Sequence, residues 1–160
     1  PSGAILWAGM ETAGDHVFVD KVRWNFFPPK RGQIIVFSTT GIESLPQGTH
    51  YIKRLVGLPG ETVRIDPPGI VINEEQYIKP EVIRHNMPAT EDYPIGFTDE
   101  GPLVADGRTM DLNKKQYLAL GDNSGNSRDG RYWGPVPQHN MVGPACFIYW
   151  PFSSRWGRIK

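Results

Sequence analysis

Glycine and proline limit the fold of this chain more than any other residue types. The 160 residues include 18 glycines and 15 prolines, spread along most of the sequence. Both residues interrupt helices and favour turns, so long helices are not expected between them. The apolar residues occur in short bursts or alternate with polar residues, and no segment repeats them with a convincing helical period. The sequence therefore predicts a mostly β fold, with helix confined to a turn or two.

Several segments have the short apolar or alternating pattern that is typical of strands. They are residues 16–22, 33–37, 49–56, 61–65, 70–72, 76–78, 116–120 and 142–150. Residues 73–75 join two of these segments as a hairpin connection. Prolines cluster between 66 and 113, where long apolar runs are few. We therefore predict a β core formed by 1–65 and 114–160, with 66–113 as a loop-rich insertion or cap.

Charge and cysteine content exclude several function classes. Lys and Arg number 17, as do Asp and Glu, so the basic footprint of a nucleic-acid-binding protein is missing. The single cysteine, Cys146, cannot form an internal disulfide and lies in an apolar run, so we expect it to be buried. No apolar stretch approaches the ~20 residues of a membrane span. Because the sequence begins at Pro1 without a methionine, we expect it to be part of a longer chain.

Lys53 is the first candidate for chemistry. On a strand, alternate side chains share a face, so Lys53 lies on one face with Tyr51 and Leu55. If that face is covered, loss of water lowers the pKa of the lysine towards the value that a general base needs. If the face is open, Lys53 is an ordinary solvated lysine. Arg54 points to the opposite face and stays protonated, so it cannot serve as a base.

The second candidate is a polar, glycine-rich loop between residues 120 and 137. Asx and Ser side chains stabilise such loops by bonding nearby backbone groups. Within the loop, Asp129 and Arg131 can pair, and Ser127 can bond a neighbour. The loop has no glycine and no terminal glutamate at the positions where an EF-hand requires them, so we expect no metal. The four histidines are scattered, without metal-ligand or Ser/His/Asp spacing. On these residues alone, a purely structural loop is an open alternative.

Together, these two segments resemble motifs of the type I signal peptidases, membrane-bound serine endopeptidases that use a Ser/Lys dyad. Residues 51–61 resemble the lysine box, with Glu61 where the family usually has Asp. Residues 121–137 resemble the last box, with Gly130 where the family usually has Ser. Two further segments resemble flanking strands of the family: residues 14–19 and 30–37.

The first residues depart from the family pattern. Pro1, Ser2 and Gly3 fit the Pro-Ser-x-Ser-Met box, but Ala4 stands where that box has its nucleophilic serine. Alignment backward from Gly14 and Asp15 places Leu6 there instead, so neither register supplies a hydroxyl. Three explanations are open: an engineered inactivation, a naturally inactive homologue, or a non-native sequence at this end. We therefore expect the chain as written not to cleave pre-proteins.

The resemblance implies a role for each site residue. Lys53 would be the general base for a serine at the position of Ala4, and Ser2 would donate to the oxyanion. Ser127 would orient the Lys53 ammonium. The other supporting residues belong to the last box and are Asp122, Asn123, Asp129 and Arg131, of which the last two brace the loop.

The resemblance also implies a fold, substrates and a location. The fold would be an antiparallel β-sheet catalytic core with a small β insertion. The substrates would be signal peptides of exported pre-proteins with small residues before the cut, and no cofactor or nucleic acid is implied. The catalytic domain would face the extracytoplasmic side of the cell membrane, with its anchor outside this sequence. Aromatic side chains suited to the membrane surface are Trp7, Phe26, Phe27 and Trp156.

Two other functions fit parts of the sequence. A self-cleaving repressor-type peptidase also uses a Ser/Lys dyad, but it normally carries a DNA-binding helical domain and a cleavable linker, and neither is visible here. A non-catalytic peptide-binding homologue of the signal peptidases is favoured by the missing serine at Ala4.

Overall fold

The structure, a computed structural model, describes residues 15–83, 96–152 and 156–159, and these residues form two antiparallel sheets. The large sheet has the strand order β1-β10-β2-β3-β8-β9, with β11 paired to β10. Its strands are β1 (His16–Val19), β2 (Ile34–Ser38), β3 (His50–Gly57), β8 (Gln116–Leu120), β9 (Val136–Pro137), β10 (Met141–Trp150) and β11 (Gly157–Arg158). The mostly β fold predicted from the sequence is confirmed.

The small sheet has the order β6-β5-β4-β7. Its strands are β4 (Thr62–Asp66), β5 (Gly69–Ile72), β6 (Gln76–Ile78) and β7 (Thr109–Asp111). The predicted hairpin joins β5 to β6, and Asn73 and Glu74 adopt positive φ there. β4 begins before the predicted insertion of 66–113, and the division into core and insertion stays a prediction.

Helix is limited to short pieces in the described part of the chain. The α-helices are α1 (Pro80–Ile83) and α2 (Gly130–Trp133). Single 3₁₀ turns lie at Arg23–Asn25, Ala105–Gly107, Ser124–Asn126 and Gln138–Asn140. No helix among the described residues is long and apolar enough to cross a membrane.

Strands β3 and β8 lie between two apolar clusters. Leu55 and Ala119 belong to one cluster with Phe37 of β2 and Trp133 of α2. Val56 and Leu118 point the other way, into the cluster that fills the small sheet. This alternation follows from the two-residue period of a strand. Because both clusters pack on the same strands, the residues of β3 are fixed from two sides.

Two predictions from the sequence were wrong in detail. The strand predicted over 16–22 ends at Val19, because the Asp20 carboxylate accepts hydrogen bonds from the backbone N–H groups of Val22 and Arg23 and turns the chain. Cys146 is exposed rather than buried. Its neighbour Ala145 occupies the inward position of β10, so the strand alternation places the thiol outside.

Candidate active site

Lys53 and Ser127 meet beside the end of strand β8, although 74 positions separate them in the sequence. Lys53 is on β3, and Ser127 is in the loop 121–129 that follows the neighbouring strand β8. The Nζ atom of Lys53 donates a hydrogen bond to Oγ of Ser127 over 2.8 Å. Gly121 allows this approach, because a Cβ there would overlap the Ser127 side chain and lie 3.4 Å from Nζ. The strand pairing and the glycine together bring the two groups into contact.

The environment of Lys53 favours its neutral amine. Burial lowers the pKa of Lys53 from its ordinary value, because the ammonium is poorly solvated there. The positive charge of Arg131 also lowers this pKa, whereas the carboxylates of Asp129 and Asp122 raise it. The net shift of the Lys53 pKa is downward, and burial is its largest cause.

Asp129 and Arg131 form a buried ion pair beneath the loop. Both side chains are almost fully removed from solvent. Arg131 donates from Nε to Oδ1 at 2.8 Å and from Nη2 to Oδ2 at 2.9 Å, which is a bidentate arrangement. Oδ2 also accepts the backbone N–H of Gly121 at 2.8 Å, and Oδ1 caps α2 by accepting the N–H of Arg131. The pair therefore fixes both ends of the loop.

A second ion pair fixes the start of the same loop. Arg54 donates from Nε and Nη2 to the two oxygens of Asp122, at 2.6 and 2.7 Å. Its Nη1 donates to the carbonyl of Gly32 at 2.6 Å, which ties the loop before β2 to the site. Arg54 is almost fully buried, so a charge-assisted partner on each side stabilises it.

Glu61, at a position where the family usually has Asp, holds the turn after β3. Its Oε2 accepts the backbone N–H of Leu58 at 2.7 Å, and its Oε1 lies 2.6 Å from Nη2 of Arg31. Arg31 also donates to the carbonyl of Val56. The longer glutamate therefore links the turn to the segment before β2.

Lys53, Ser127 and the Arg54–Asp122 pair border a cleft of about 630 Å³. One part is apolar and is formed by Val17, Ile34, Ile52, Ile148 and Ile159. The polar part is formed by Asp15, Lys53, Arg54, Gly121, Asp122, Asn123, Asn126, Ser127 and Arg158. The amine of Lys53 thus lies beside the apolar part of the cleft.

The structure brings together Lys53, Asp122, Ser127, Asp129 and Arg131 in one network, and Asn123 lines the cleft beside them. The predicted nucleophile position and oxyanion residue, Ala4 and Ser2, lie outside the described residues, as does Trp7. Within the described ranges, no group of three or more His, Cys, Asp or Glu side chains could hold a metal ion.

Sequence reasoning missed the two hydroxyl groups that complete the site. Thr98 and Ser124 both accept hydrogen bonds from Nη1 of Arg131, at 2.6 and 2.8 Å. Ser124 lies in the loop that the sequence had singled out, and a buried arginine needs more acceptors than one carboxylate offers. Thr98 had no such signal, because it is 33 positions from Arg131 and lies among the prolines of the predicted insertion.

Comparison with known proteins places this site in a family. Residues 10–150 match the family described as signal peptidase, peptidase S26. Signal peptidase I of Leptolyngbya laminosa is 38% identical over 148 residues, covering 87% of this chain and 62% of that protein. Signal peptidase I T of Bacillus subtilis is 31% identical over 141 residues, covering 88% of this chain and 67% of that protein. The chain thus spans about two thirds of the length of these relatives.

A solved structure has the same fold. The crystal structure of a signal peptidase I from Enterococcus faecalis is 30% identical, with a TM-score of 0.50. The similarity covers 74% of this chain and 97% of that one. The chain belongs to the signal peptidase I family, as the resemblance of its two motif segments predicted.

Proposed function

We propose that this protein has the catalytic domain of a serine endopeptidase that removes signal peptides from exported pre-proteins. In this domain, Lys53 is the general base. The observation that carries the proposal is the hydrogen bond from Lys53 to Ser127 beside an apolar cleft, where burial lowers the pKa of the lysine. A lysine with a lowered pKa is neutral over a wider pH range than an ordinary lysine, so it is better suited to remove the proton of a serine hydroxyl.

The proposed mechanism assigns one task to each group. A serine hydroxyl at the position of Ala4 would attack the scissile carbonyl, and neutral Lys53 would take its proton and give it to the leaving amine. The same lysine would then take a proton from a water molecule, which would hydrolyse the acyl-enzyme ester and free the serine. The Ser2 hydroxyl and the backbone N–H at position 4 stabilise the oxyanion. Ser127 orients the Lys53 amine through their 2.8 Å hydrogen bond. The Asp129–Arg131 and Arg54–Asp122 pairs hold the loop that carries Ser127.

The cleft supports a signal peptide as the substrate. An extended segment can add to the sheet by backbone hydrogen bonds, with alternate side chains entering pockets. The side chains of Ile34, Ile52 and Ile148 line the cleft, and they favour substrates with small apolar residues before the cleavage site. Pre-proteins with small residues at these positions are therefore the proposed partners.

Exposed aromatic side chains support a place at the membrane. Phe26 is 74% exposed, Phe27 is 61% exposed and Trp156 is 49% exposed. Aromatic side chains favour the membrane–water interface. We place the domain against the cell membrane on its extracytoplasmic side, where exported pre-proteins emerge.

Because Ala4 has no hydroxyl, the chain as written is proposed to lack peptidase activity. The same observation favours a second function, in which the protein binds signal-like peptides without cutting them. The two functions differ in what a restored serine would do.

The test compares the unmodified chain with Ala4→Ser and with Leu6→Ser, using a pre-protein with an Ala-x-Ala cleavage site. We expect cleavage only by Ala4→Ser, and loss of that cleavage by on the order of 10²- to 10⁴-fold when Lys53→Met is added. Cleavage by Leu6→Ser alone would move the nucleophile to the other register. No cleavage by either variant, with peptide binding retained, would favour the binding function.

A further inference from the structure

The buried guanidinium of Arg131 needs more partners than Asp129 supplies. Asp129 takes the Nε–H and one Nη2–H of Arg131, and the second Nη2–H points at backbone carbonyls. Both Nη1–H groups face away from the carboxylate. They are met by the hydroxyl of Thr98 at 2.6 Å, the hydroxyl of Ser124 at 2.8 Å and the carbonyl of Thr98 at 3.2 Å. A buried N–H without an acceptor is costly, so these hydroxyls decide where the guanidinium sits.

The two residues are also joined to each other. The backbone N–H of Thr98 donates to Oγ of Ser124 at 2.9 Å. Ser124 is buried, and its backbone carbonyl accepts Nη2–H of Arg131 at 2.6 Å. Residue 124 therefore holds the arginine with both its side chain and its backbone, while Thr98 holds it from outside the loop.

Thr98 reaches this position because the small sheet holds its neighbour. The Phe97 side chain is buried in the apolar cluster of the small sheet, and its N–H donates to the carbonyl of Pro68 at 2.8 Å. Three residues after Thr98, Gly101 lies so close to Arg131 that a Cβ there would come within 2.7 Å of the arginine Cβ. The N–H of Leu103 donates to the carbonyl of Arg131 at 3.1 Å. The segment 98–103, which follows Phe97, thus packs around the arginine.

Arg131 in turn contacts the residue that orients Lys53. Its Nη2 lies 3.3 Å from the backbone carbonyl of Ser127, whose hydroxyl accepts the hydrogen bond from Lys53. A path of direct contacts therefore runs from Phe97 through Thr98 and Arg131 to Ser127.

We propose that Thr98 and Ser124 are positioning residues that couple the small sheet to the Lys53–Ser127 pair through the guanidinium of Arg131. This inference rests on the proposed function for the role of Lys53. The small sheet then contributes to the site directly, by holding one wall of the catalytic loop, in addition to filling its own core.

The coupling has a consequence for the titration of Lys53. Loss of either hydroxyl removes one of the three acceptors that hold the Nη1–H groups, so the guanidinium shifts and water enters the site. Since burial is the main cause of the lowered pKa of Lys53, admitted water raises it. The charged groups that act on the amine are Asp129, Arg131 and Asp122, and Arg54 is paired with the last of these. A displaced Arg131 would withdraw a positive charge, which shifts the pKa in the same upward direction.

The experiment follows the Lys53 ammonium by NMR in the unmodified chain labelled with ¹³C-lysine, with Lys53→Met to assign the signal. The variants are Thr98→Val, which removes the hydroxyl at nearly constant shape, and Thr98→Ser, which keeps a hydroxyl. Ser124→Ala provides a second removal if Thr98→Val does not fold. Ile70→Val, in the core of the small sheet, is the control for a general loss of stability.

We expect Thr98→Val and Ser124→Ala to raise the Lys53 midpoint by roughly half a pH unit or more. Thr98→Ser and Ile70→Val should leave it unchanged. A midpoint that stays unchanged or falls in the two removal variants would overturn the coupling, and so would an equal rise in Ile70→Val. The titration needs no nucleophile, so it decides this inference even if Ala4→Ser shows no cleavage and the proposed function fails.

Discussion

The small sheet and the loop 121–129 of the large sheet place their charged groups differently. In the small sheet, Arg64 lies 3.7 Å from Asp66 and 3.6 Å from Glu74, and both acidic side chains are more than half exposed. Around the loop, Asp129 and Arg131 are fully buried. The small sheet packs on a core of apolar side chains. The loop is instead held by two ion pairs, each between an arginine and a carboxylate.

The physical costs of these two arrangements differ. Apolar burial stabilises the small sheet at little cost in desolvation. A buried ion pair must lose its water, and its attraction offsets that loss only when further hydrogen bonds satisfy both groups. The loop meets this condition with the backbone of Gly121 and the hydroxyls of Thr98 and Ser124. The comparison indicates that the loop is built for geometry and the small sheet for stability.

The largest effect on stability is expected at Asp129. Asp129→Asn removes the charge and turns an amide donor towards the N–H groups of Arg131 and Gly121, which need an acceptor. Breaking a buried pair on one side costs about 3–5 kcal/mol, so the free energy of unfolding should fall by that amount. Urea unfolding at neutral pH measures it. A loss below about 1 kcal/mol would mean that water already reaches the pair.

An intermediate effect, with a defined pH dependence, is expected at Lys53. The folded pKa of Lys53 lies below its ordinary value of 10.5, so at neutral pH folding costs free energy, either to bury the ammonium or to release its proton. As the pH rises from the folded pKa towards 10.5, the unfolded chain binds more protons than the folded one, and stability rises. Lys53→Met removes this cost, so it should be more stable than the parent at neutral pH.

That advantage should shrink as the pH approaches 10.5. Urea midpoints from pH 7 upward test it, and Lys114→Met, at an exposed lysine, provides the matched control. A difference between Lys53→Met and the parent that is constant with pH would contradict the lowered pKa.

The smallest effect is expected at Asp66, the surface counterpart of Asp129. Asp66→Asn removes one partner of an exposed pair with Arg64 and changes little else. Surface pairs contribute about 0–1 kcal/mol, so the free energy of unfolding should change by no more than that. High salt should abolish the difference, because exposed pairs are screened. If Asp66→Asn proved as costly as Asp129→Asn, the contrast between the two regions would be wrong.

Most strands could be predicted from local pattern, because burial on one or both faces leaves an apolar or alternating signature. The prediction failed where the signature is short. β7, β9 and β11 have three residues or fewer, which is too short for a recognisable pattern, and β7 pairs with the distant strand β4. β6 is as short as β7, but the hairpin that joins it to β5 made it predictable. The prediction that Cys146 is buried failed for a related reason, because a largely apolar strand of ten residues does not reveal which of its residues face inward.

The candidate site divides in the same way. Lys53, Ser127, Asp129 and Arg131 stood out from the motifs, and the structure brings them into one network. Local pattern left open whether the face that carries Lys53 is covered or solvated. The fold covers it with a loop from a neighbouring strand, and this burial lowers the pKa of the amine.

By itself, the sequence determined the mostly β character of the chain, the segments of the main strands and the membership in a peptidase family. These depend on residue types and spacings that act locally. Only the tertiary structure decided that Gly121 leaves room for Ser127 and that Thr98 reaches Arg131 from the segment that precedes β7. Such contacts join residues that are distant in sequence, and they depend on strand pairing and on the desolvation of charged groups, neither of which has a local signature.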